Sequence, residues 1–133
     1  MRRFLKVVAA LIEAEGRFLL CQRKDGDEQA GLWEFPGGTV EGNETLFSAI
    51  EREIKEETAL SVKAWQVVER FIDESPDYVI EVFLCRCDIL GGKIWARDCK
   101  DFGFFTLKEA EKLDLVSVDL KILKYLSRRK SNT

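Results

Sequence analysis

Apolar residues fall in short stretches bounded by turn formers along most of this chain, the pattern of strands. Phe4–Ile12 is rich in β-branched and apolar side chains and predicts a buried strand. Ala14-Glu15-Gly16 makes a turn, and Arg17–Arg23 returns as the second arm of a hairpin. Lys24–Gly31 is a polar loop. Trp33–Phe35 is a short extended piece, ended by Pro36-Gly37-Gly38. Leu60–Phe71 and Tyr78–Ile89 are strand-like on either side of the turn at 73–77, Gly91-Gly92 marks another turn, and Phe102–Phe105 is a short strand. Helical signals cover Asn43–Thr58, Thr106–Leu113 and Val118–Leu126, with Thr106 and Ser117 suited to N-caps. The polar, basic tail Ser127–Thr133 is expected to fray. Strands mixed with three helices around one core predict an α/β sandwich. A length of 133 residues suits a single domain over 1–133, since two cores would be undersized.

The segment from Gly38 to Leu60 carries more than a fold signal. At about 100° per residue, Leu46, Phe47, Ala49, Ile50 and Ile54 share one broad stripe, so this helix packs on a core. Glu53, Glu56 and Glu57 fall on an arc that overlaps the inward side, while Lys55 points to solvent. Acids at i, i+3 and i+4 repel one another. They also lie toward the C-terminal end, where the helix dipole disfavours negative charge. Partly buried like charges need a compensating cation or a raised pKa. A hard divalent ion such as Mg²⁺ supplies that cation through oxygen ligands. The alternative is a solvated acidic face paired with Arg52 and Lys55. The loop before the helix, Pro36-Gly37-Gly38, permits close approach of a ligand to the main chain and offers a glycine carbonyl as a further oxygen.

Composition narrows the chemistry. The chain has no histidine, which removes a Ser-His-Asp triad, a Cys-His pair, an H-E-x-x-H zinc site and a histidine general base. Acid–base and metal work then falls mainly to carboxylates. A formal net charge of −3 disfavours wrapping a nucleic-acid polymer. Cys21, Cys85, Cys87 and Cys99 form no C-x-x-C pair, so they are expected to be reduced thiols in a cytoplasmic protein. Met1-Arg2-Arg3 and the apolar stretch after it resemble a signal peptide only weakly, because Lys6 interrupts the stretch; a first strand is the reading adopted. No apolar run is long enough to span a membrane.

The residues Gly38, Glu44, Arg52, Glu53, Ile54, Glu56, Glu57 and Leu60 match the Nudix box, G-x5-E-x7-R-E-U-x-E-E-x-G-U with U aliphatic. The segment 38–60 thus resembles the Nudix hydrolases. The one departure is Ala59, where the family has the glycine that ends the helix. Leu32-Trp33-Glu34-Phe35-Pro36-Gly37-Gly38, Arg23 and the early hairpin are similar to the MutT-like branch, which includes 8-oxo-dGTP diphosphatases and CTP pyrophosphohydrolases. Pro76-Asp77, Trp95 and the final helix with Asp119 follow in the matching order.

This resemblance implies a Nudix α/β/α sandwich around a mixed sheet. It implies that Glu53, Glu56 and Glu57 bind Mg²⁺, with Mn²⁺ as a possible substitute, aided by the Gly37 carbonyl. Arg52 would orient Glu53, Glu44 would support it, and Asp98 is the candidate loop carboxylate. Arg23, Glu34, Phe35, Gly38 and Asp119 would line the nucleotide pocket. At position 119 guanine-selective relatives carry asparagine and cytidine-selective ones aspartate. The expected activity is Mg²⁺-dependent hydrolysis of a nucleoside triphosphate to a monophosphate and pyrophosphate, with 8-oxo-dGTP first and CTP or 5-methyl-dCTP second. Hydrolysis of another nucleoside diphosphate derivative such as ADP-ribose, and a Nudix module that binds without catalysis, stand as alternatives. A Ca²⁺-binding domain is disfavoured because no D-x-D-x-D-G loop is present. The expected partner is a small nucleotide, with no nucleic-acid polymer and no membrane, and the chain is expected to be a monomer or weak dimer.

Overall fold

The computed structural model describes residues 1–131. Its centre is a long strand, β1 (Arg3–Ala14), buried on both faces. Val8, Ala10 and Ile12 point one way and Ala9 and Leu11 the other, so the continuous apolar run serves two cores at once. A hairpin follows to β2 (Arg17–Gln22), and β3 (Trp33–Glu34) pairs with β2. β4 (Gly37–Thr39) and β6 (Tyr78–Gly91) both pair with β1, β4 antiparallel and β6 parallel. β5 (Ser61–Glu74) lies antiparallel to β6, and β7 (Asp101–Phe105) antiparallel to β2. The sheet is therefore mixed.

Helix α1 (Leu46–Thr58) covers one face through Ala49, Ile50 and Ile54, packed on Val8, Ala10, Ile12 and Val62. After the short α2 (Leu107–Ala110), helix α3 (Ser117–Ser131) covers the other face through Val118, Ile122 and Leu123, packed on Ala9, Leu11, Val82 and Leu84. This is the expected α/β/α sandwich. No helix among the described residues is long and apolar enough to cross a membrane. The four cysteines are free thiols.

Several local expectations change. Residues 37–39 form a strand where a turn was expected, because the glycines here serve close approach. A Cβ on Gly37 would lie 1.9 Å from the Val8 carbonyl oxygen, inside the sheet contact itself. Helix α1 starts at Leu46 because the Thr45 hydroxyl accepts the Ser48 N–H and closes a capping box. Ser117 does not cap α3; it is the first helical residue, and its hydroxyl donates to Asp73. The tail expected to fray from Ser127 onward is helical as far as Ser131, and the last two residues of that tail lie outside the described residues. Ala59 ends α1 in the left-handed conformation (φ 65°), which glycine adopts without strain.

Candidate active site

The two close turns of chain around β4 build the site from its backbone. Gly37 N–H points away from β1 and donates to Glu57 Oε1 at 2.9 Å. Gly38 sits against Glu53: a Cβ there would come within 2.4 Å of the carboxyl carbon. The glycine pair thus presses two carboxylates of α1 against main chain, and no other residue type leaves that room.

Arg52 organises the outer side. Its Nε and Nη2 hold Glu44 at 2.6 and 2.9 Å, while Nη1 donates to Glu53 at 2.8 Å and to Glu56 at 3.1 Å. Nη2 also reaches the Thr39 carbonyl at 3.2 Å, tying α1 to β4. The fork holds the Glu44 carboxyl down at about 2. Burial dominates the opposite way at Glu53 and Glu57. Both are pushed above the ordinary carboxylate value, Glu57 strongly, since the nearby Glu34 charge adds to desolvation and outweighs the Gly37 N–H.

The C-terminal end of α1 places Asp98. Its last carbonyls lack helical donors. The loop 92–100 supplies them: Trp95 N–H donates to the Thr58 carbonyl, and the Arg97 and Asp98 N–H groups donate to the Glu57 carbonyl. Asp98 is thereby fixed beside Glu57, and its carboxylate meets Lys24 Nζ at 2.6 Å.

Two adjoining cavities result. The smaller, about 160 Å³, is lined by Glu53, Glu57, Asp98, Glu34, Asp27, Arg23, Lys24, Gly37 and Cys99. Five carboxylates there face two cations. The larger, about 570 Å³, runs between the sheet and α3 over Leu5, Val7, Ile80, Val82, Val116 and Ile122. Arg23, Glu34 and Gly37 line both and form the shared wall. Arg23 is held by Asp27 (2.6 Å) and Glu34 (3.0 Å), yet its buried Nε has no hydrogen-bond partner among the described residues. Asp119, 4% exposed, accepts the Phe35 N–H at 2.8 Å. Burial and the Glu34 charge push its carboxyl well above the ordinary value, against the pull of the Phe35 N–H and of Arg23. Burial raises Glu34 too, against Arg23.

Of the residues expected from the sequence, Glu53, Glu57, Asp98, Gly37, Arg23 and Glu34 come together around the small cavity, and Phe35, Gly38 and Asp119 line the larger. Glu56 lines neither; its side chain is 55% exposed on the outer flank of Arg52. Phe35 lines the larger cavity while its ring stacks on Phe18 at 5.3 Å, and its backbone holds Asp119. Lys24, Asp27 and Cys99 were not anticipated. They lie in loops whose residues carry no periodicity, so only loop closure brings them in. The pairing of Arg23 with Asp27 four residues on was the one visible hint.

Among the described residues, no three His, Cys, Asp or Glu side chains converge on a metal position as they stand, since Glu53 and Glu56 are both turned onto Arg52. The donor chemistry nevertheless fits a hard cation. All candidate ligands are oxygens, the carboxyls of buried Glu57 and half-buried Glu53 lie against glycine backbone, and the cavity carries surplus negative charge.

Comparison with known proteins shows the family. The family model for the NUDIX domain matches residues 2–126. A CTP pyrophosphohydrolase of Escherichia coli (strain K12) is 31% identical over 121 residues, covering 91% of this chain and 90% of that protein. An 8-oxo-dGTP diphosphatase of Haemophilus influenzae is 32% identical over 110 residues, covering 82% and 80%. The solution structure of the E. coli ORF135 protein superposes with a TM-score of 0.83 at 29% identity, covering 98% of this chain and 94% of that one. With its box, its sandwich and a match over nearly its whole length, the chain belongs to the Nudix hydrolase family.

Proposed function

We propose that this chain hydrolyses nucleoside triphosphates to a nucleoside monophosphate and pyrophosphate with Mg²⁺, and that 8-oxo-dGTP is its preferred substrate. The observation that carries the reading is the pair of adjoining cavities: an acid-lined one sized for phosphates and an apolar one sized for a base, joined at Arg23, Glu34 and Gly37. Mn²⁺ is expected to substitute.

Glu53 and Glu57, with the Gly37 carbonyl, would hold the metal, joined by Glu56 on its release from the Arg52 hydrogen bond. Bound there, a divalent ion neutralises phosphate charge and lowers the pKa of water. Arg52 would orient the Glu53 carboxylate through the 2.8 Å hydrogen bond. Glu53, half-buried and raised, is the leading acceptor for a proton from the attacking water, and Asp98 is the second candidate. Phosphoryl transfer asks mainly for positioning and charge neutralisation, so a chain without histidine lacks nothing it needs. Arg23, which lines both cavities, would meet the α-phosphate at their junction.

Asp119 supports the choice of base. Its Oδ1 is occupied by the Phe35 N–H, and its strongly raised pKa favours a proton on the carboxyl. A protonated Asp119 donates as an asparagine would, and beside an ionised Glu34 the pair presents a donor next to an acceptor. That suits the O6 and N7–H edge of 8-oxoguanine. A second reading, CTP or 5-methyl-dCTP as substrate, is favoured by the aspartate itself, whose ionised form accepts from an exocyclic amino group. The similarity to a CTP pyrophosphohydrolase also favours it. Pyrophosphate release across a panel of 8-oxo-dGTP, dGTP, CTP, 5-methyl-dCTP and ADP-ribose, followed by ³¹P NMR, tests both. Preference for ADP-ribose, or orthophosphate as the released product, would overturn the reading.

A further inference from the structure

Loops 23–32 and 92–100 face one another across the small cavity and are joined by two ion pairs. Lys24 Nζ meets Asp98 Oδ1 at 2.6 Å, and Lys100 Nζ meets Asp25 Oδ1 at 3.2 Å. The pairs differ in position. Lys24 and Asp98 line the cavity that holds Glu53 and Glu57, whereas Lys100 and Asp25 line neither cavity. They differ in chemistry too. Of the two cations lining the small cavity, Arg23 is committed to two carboxylates, Asp27 and Glu34. Lys24 is committed to one, and both members of that pair are 57% exposed. An ion pair so exposed is weakly held and exchanges readily. An ammonium on a flexible stem is suited to phosphate oxygens as a point charge.

Resting on the triphosphate reading above, we propose that Lys24 is a phosphate-binding residue: the polyphosphate displaces Asp98 from Lys24 and so frees the Asp98 carboxylate inside the cavity. In the free protein the pair cancels one positive and one negative charge at the cavity mouth. A polyphosphate carries more negative charge than the single carboxylate, so it wins the lysine. Asp98, whose backbone stays pinned to the Glu57 carbonyl, is then unpaired beside Glu53 and Glu57. The substrate's own phosphates thus uncover the loop carboxylate when it is needed. A shorter ligand without phosphates leaves the pair closed.

The test uses the full chain with K24Q, K24R and K100Q, each alone and combined with D98N. Binding of an α,β-methylene nucleoside triphosphate is measured by calorimetry, and KM and kcat are measured on the best substrate of the panel. We expect K24Q to weaken analogue binding and to raise KM about tenfold or more, the usual scale for losing a hydrogen bond to a charged group. K24R restores binding to within about threefold, K100Q stays within about twofold of wild type, and binding of the unphosphorylated nucleoside does not change. The K24Q loss persists in the D98N background. Loss of equal size in K100Q would show that only loop closure matters and overturn the proposal. A K24Q loss that vanishes in D98N would show that Lys24 acts only by holding Asp98, and overturns it equally. K24Q binding within twofold of wild type does the same. A wild-type protein that binds the analogue but releases no pyrophosphate from any triphosphate refutes the functional reading instead, and leaves the lysine result readable.

Discussion

The small cavity sets five carboxylates against two cations, whereas the large cleft beside it lies over aliphatic side chains, with its charged groups Arg3, Arg23, Glu28, Glu34, Asp77 and Asp119 balanced two against four. On the function proposed above, one takes what every nucleoside triphosphate carries, the phosphates, and the other takes what distinguishes one base from another. Their energetic characters differ accordingly. The acid cavity stores unfavourable negative charge that a cation relieves, so the free protein is less stable than its fold allows. The apolar cleft stores unburied hydrocarbon that a base covers. Substitutions in the first should change rate for all substrates, and substitutions in the second should change the ranking among them.

The largest effect is expected from Glu57. Chelation with EDTA abolishes turnover while circular dichroism reports an intact fold, and Glu57→Gln loses metal affinity and activity together. The same substitution should stabilise the metal-free protein, because a buried charge is removed while the Gln oxygen still accepts the Gly37 N–H. The pH dependence follows from the raised carboxyl. A group that binds its proton more tightly folded than unfolded contributes stability fully below its ordinary value of 4.5, and loses it as pH rises through the raised value. Metal-free wild type therefore melts at falling temperature from about pH 5 upward. Glu57→Gln flattens that slope. A Glu57→Gln protein that turns over like wild type, or one whose metal-free melting temperature falls below it at pH 8, removes Glu57 from the centre of the charged cavity.

Next come the candidate bases. Glu53→Gln is expected to lower kcat by about 10²–10⁴, the usual contribution of general-base assistance, on every substrate alike. Asp98→Asn should cost about tenfold or more. A smaller loss there, in steady-state assays at saturating substrate, takes Asp98 out of the reaction. A loss at either residue that depends on the base would blur the distinction between the two cavities.

The two cavities were also unequally legible in the sequence. Glu53, Glu56 and Glu57 share one helix at fixed spacing, and Gly37 and Gly38 precede it in the same stretch. Periodicity and charge therefore pointed to the acid site before any fold was known. Even so, a helical wheel cannot say that Arg52 pulls Glu56 outward, since that depends on the side-chain fork reaching Glu44 and Thr39. The large cleft draws on β1, β6, the loop around residue 116 and α3, which are distant in sequence. Only family likeness gave Asp119, and nothing local could reveal that Phe35 holds it through its backbone. The fold was easier. The apolar run of β1 and the capping residue Thr106 announced their elements directly. Residues 37–39 misled because glycine reads as a turn former, while here it permits close packing of backbone and carboxylate.

In the cleft, Asp119→Asn is expected to shift relative kcat/KM toward 8-oxo-dGTP and away from CTP and 5-methyl-dCTP. Asparagine carries a permanent donor beside its acceptor, whereas aspartate donates only when protonated. The kcat on the better substrate should change far less than for Glu53→Gln. If the ratio of the two substrates stays within about twofold, under about 0.5 kcal/mol of discrimination, Asp119 does not read the base.

The smallest effect expected is at Ala59, which frames the charged cavity without carrying charge. It closes α1 in the left-handed region at φ 65°, and its N–H donates to the Lys55 carbonyl at 3.0 Å. A Cβ in that conformation costs about 1–2 kcal/mol, and glycine escapes the cost at the expense of more unfolded-state entropy. Ala59→Gly is therefore expected to stabilise the protein by about 0.5–1 kcal/mol, a rise of about 2–4 °C in Tm. The carbonyls of Glu57 and Thr58, which receive the loop that carries Asp98, keep their partners, so kcat and substrate ranking should both stay within about twofold of wild type. Differential scanning calorimetry beside the substrate panel checks both halves. A gain in stability with unchanged kinetics means that the helix end is strained but correctly aimed. A drop in kcat on all substrates would mean that the strain at Ala59 itself sets the position of Glu57 and Asp98, and would extend the charged cavity's machinery to the helix terminus.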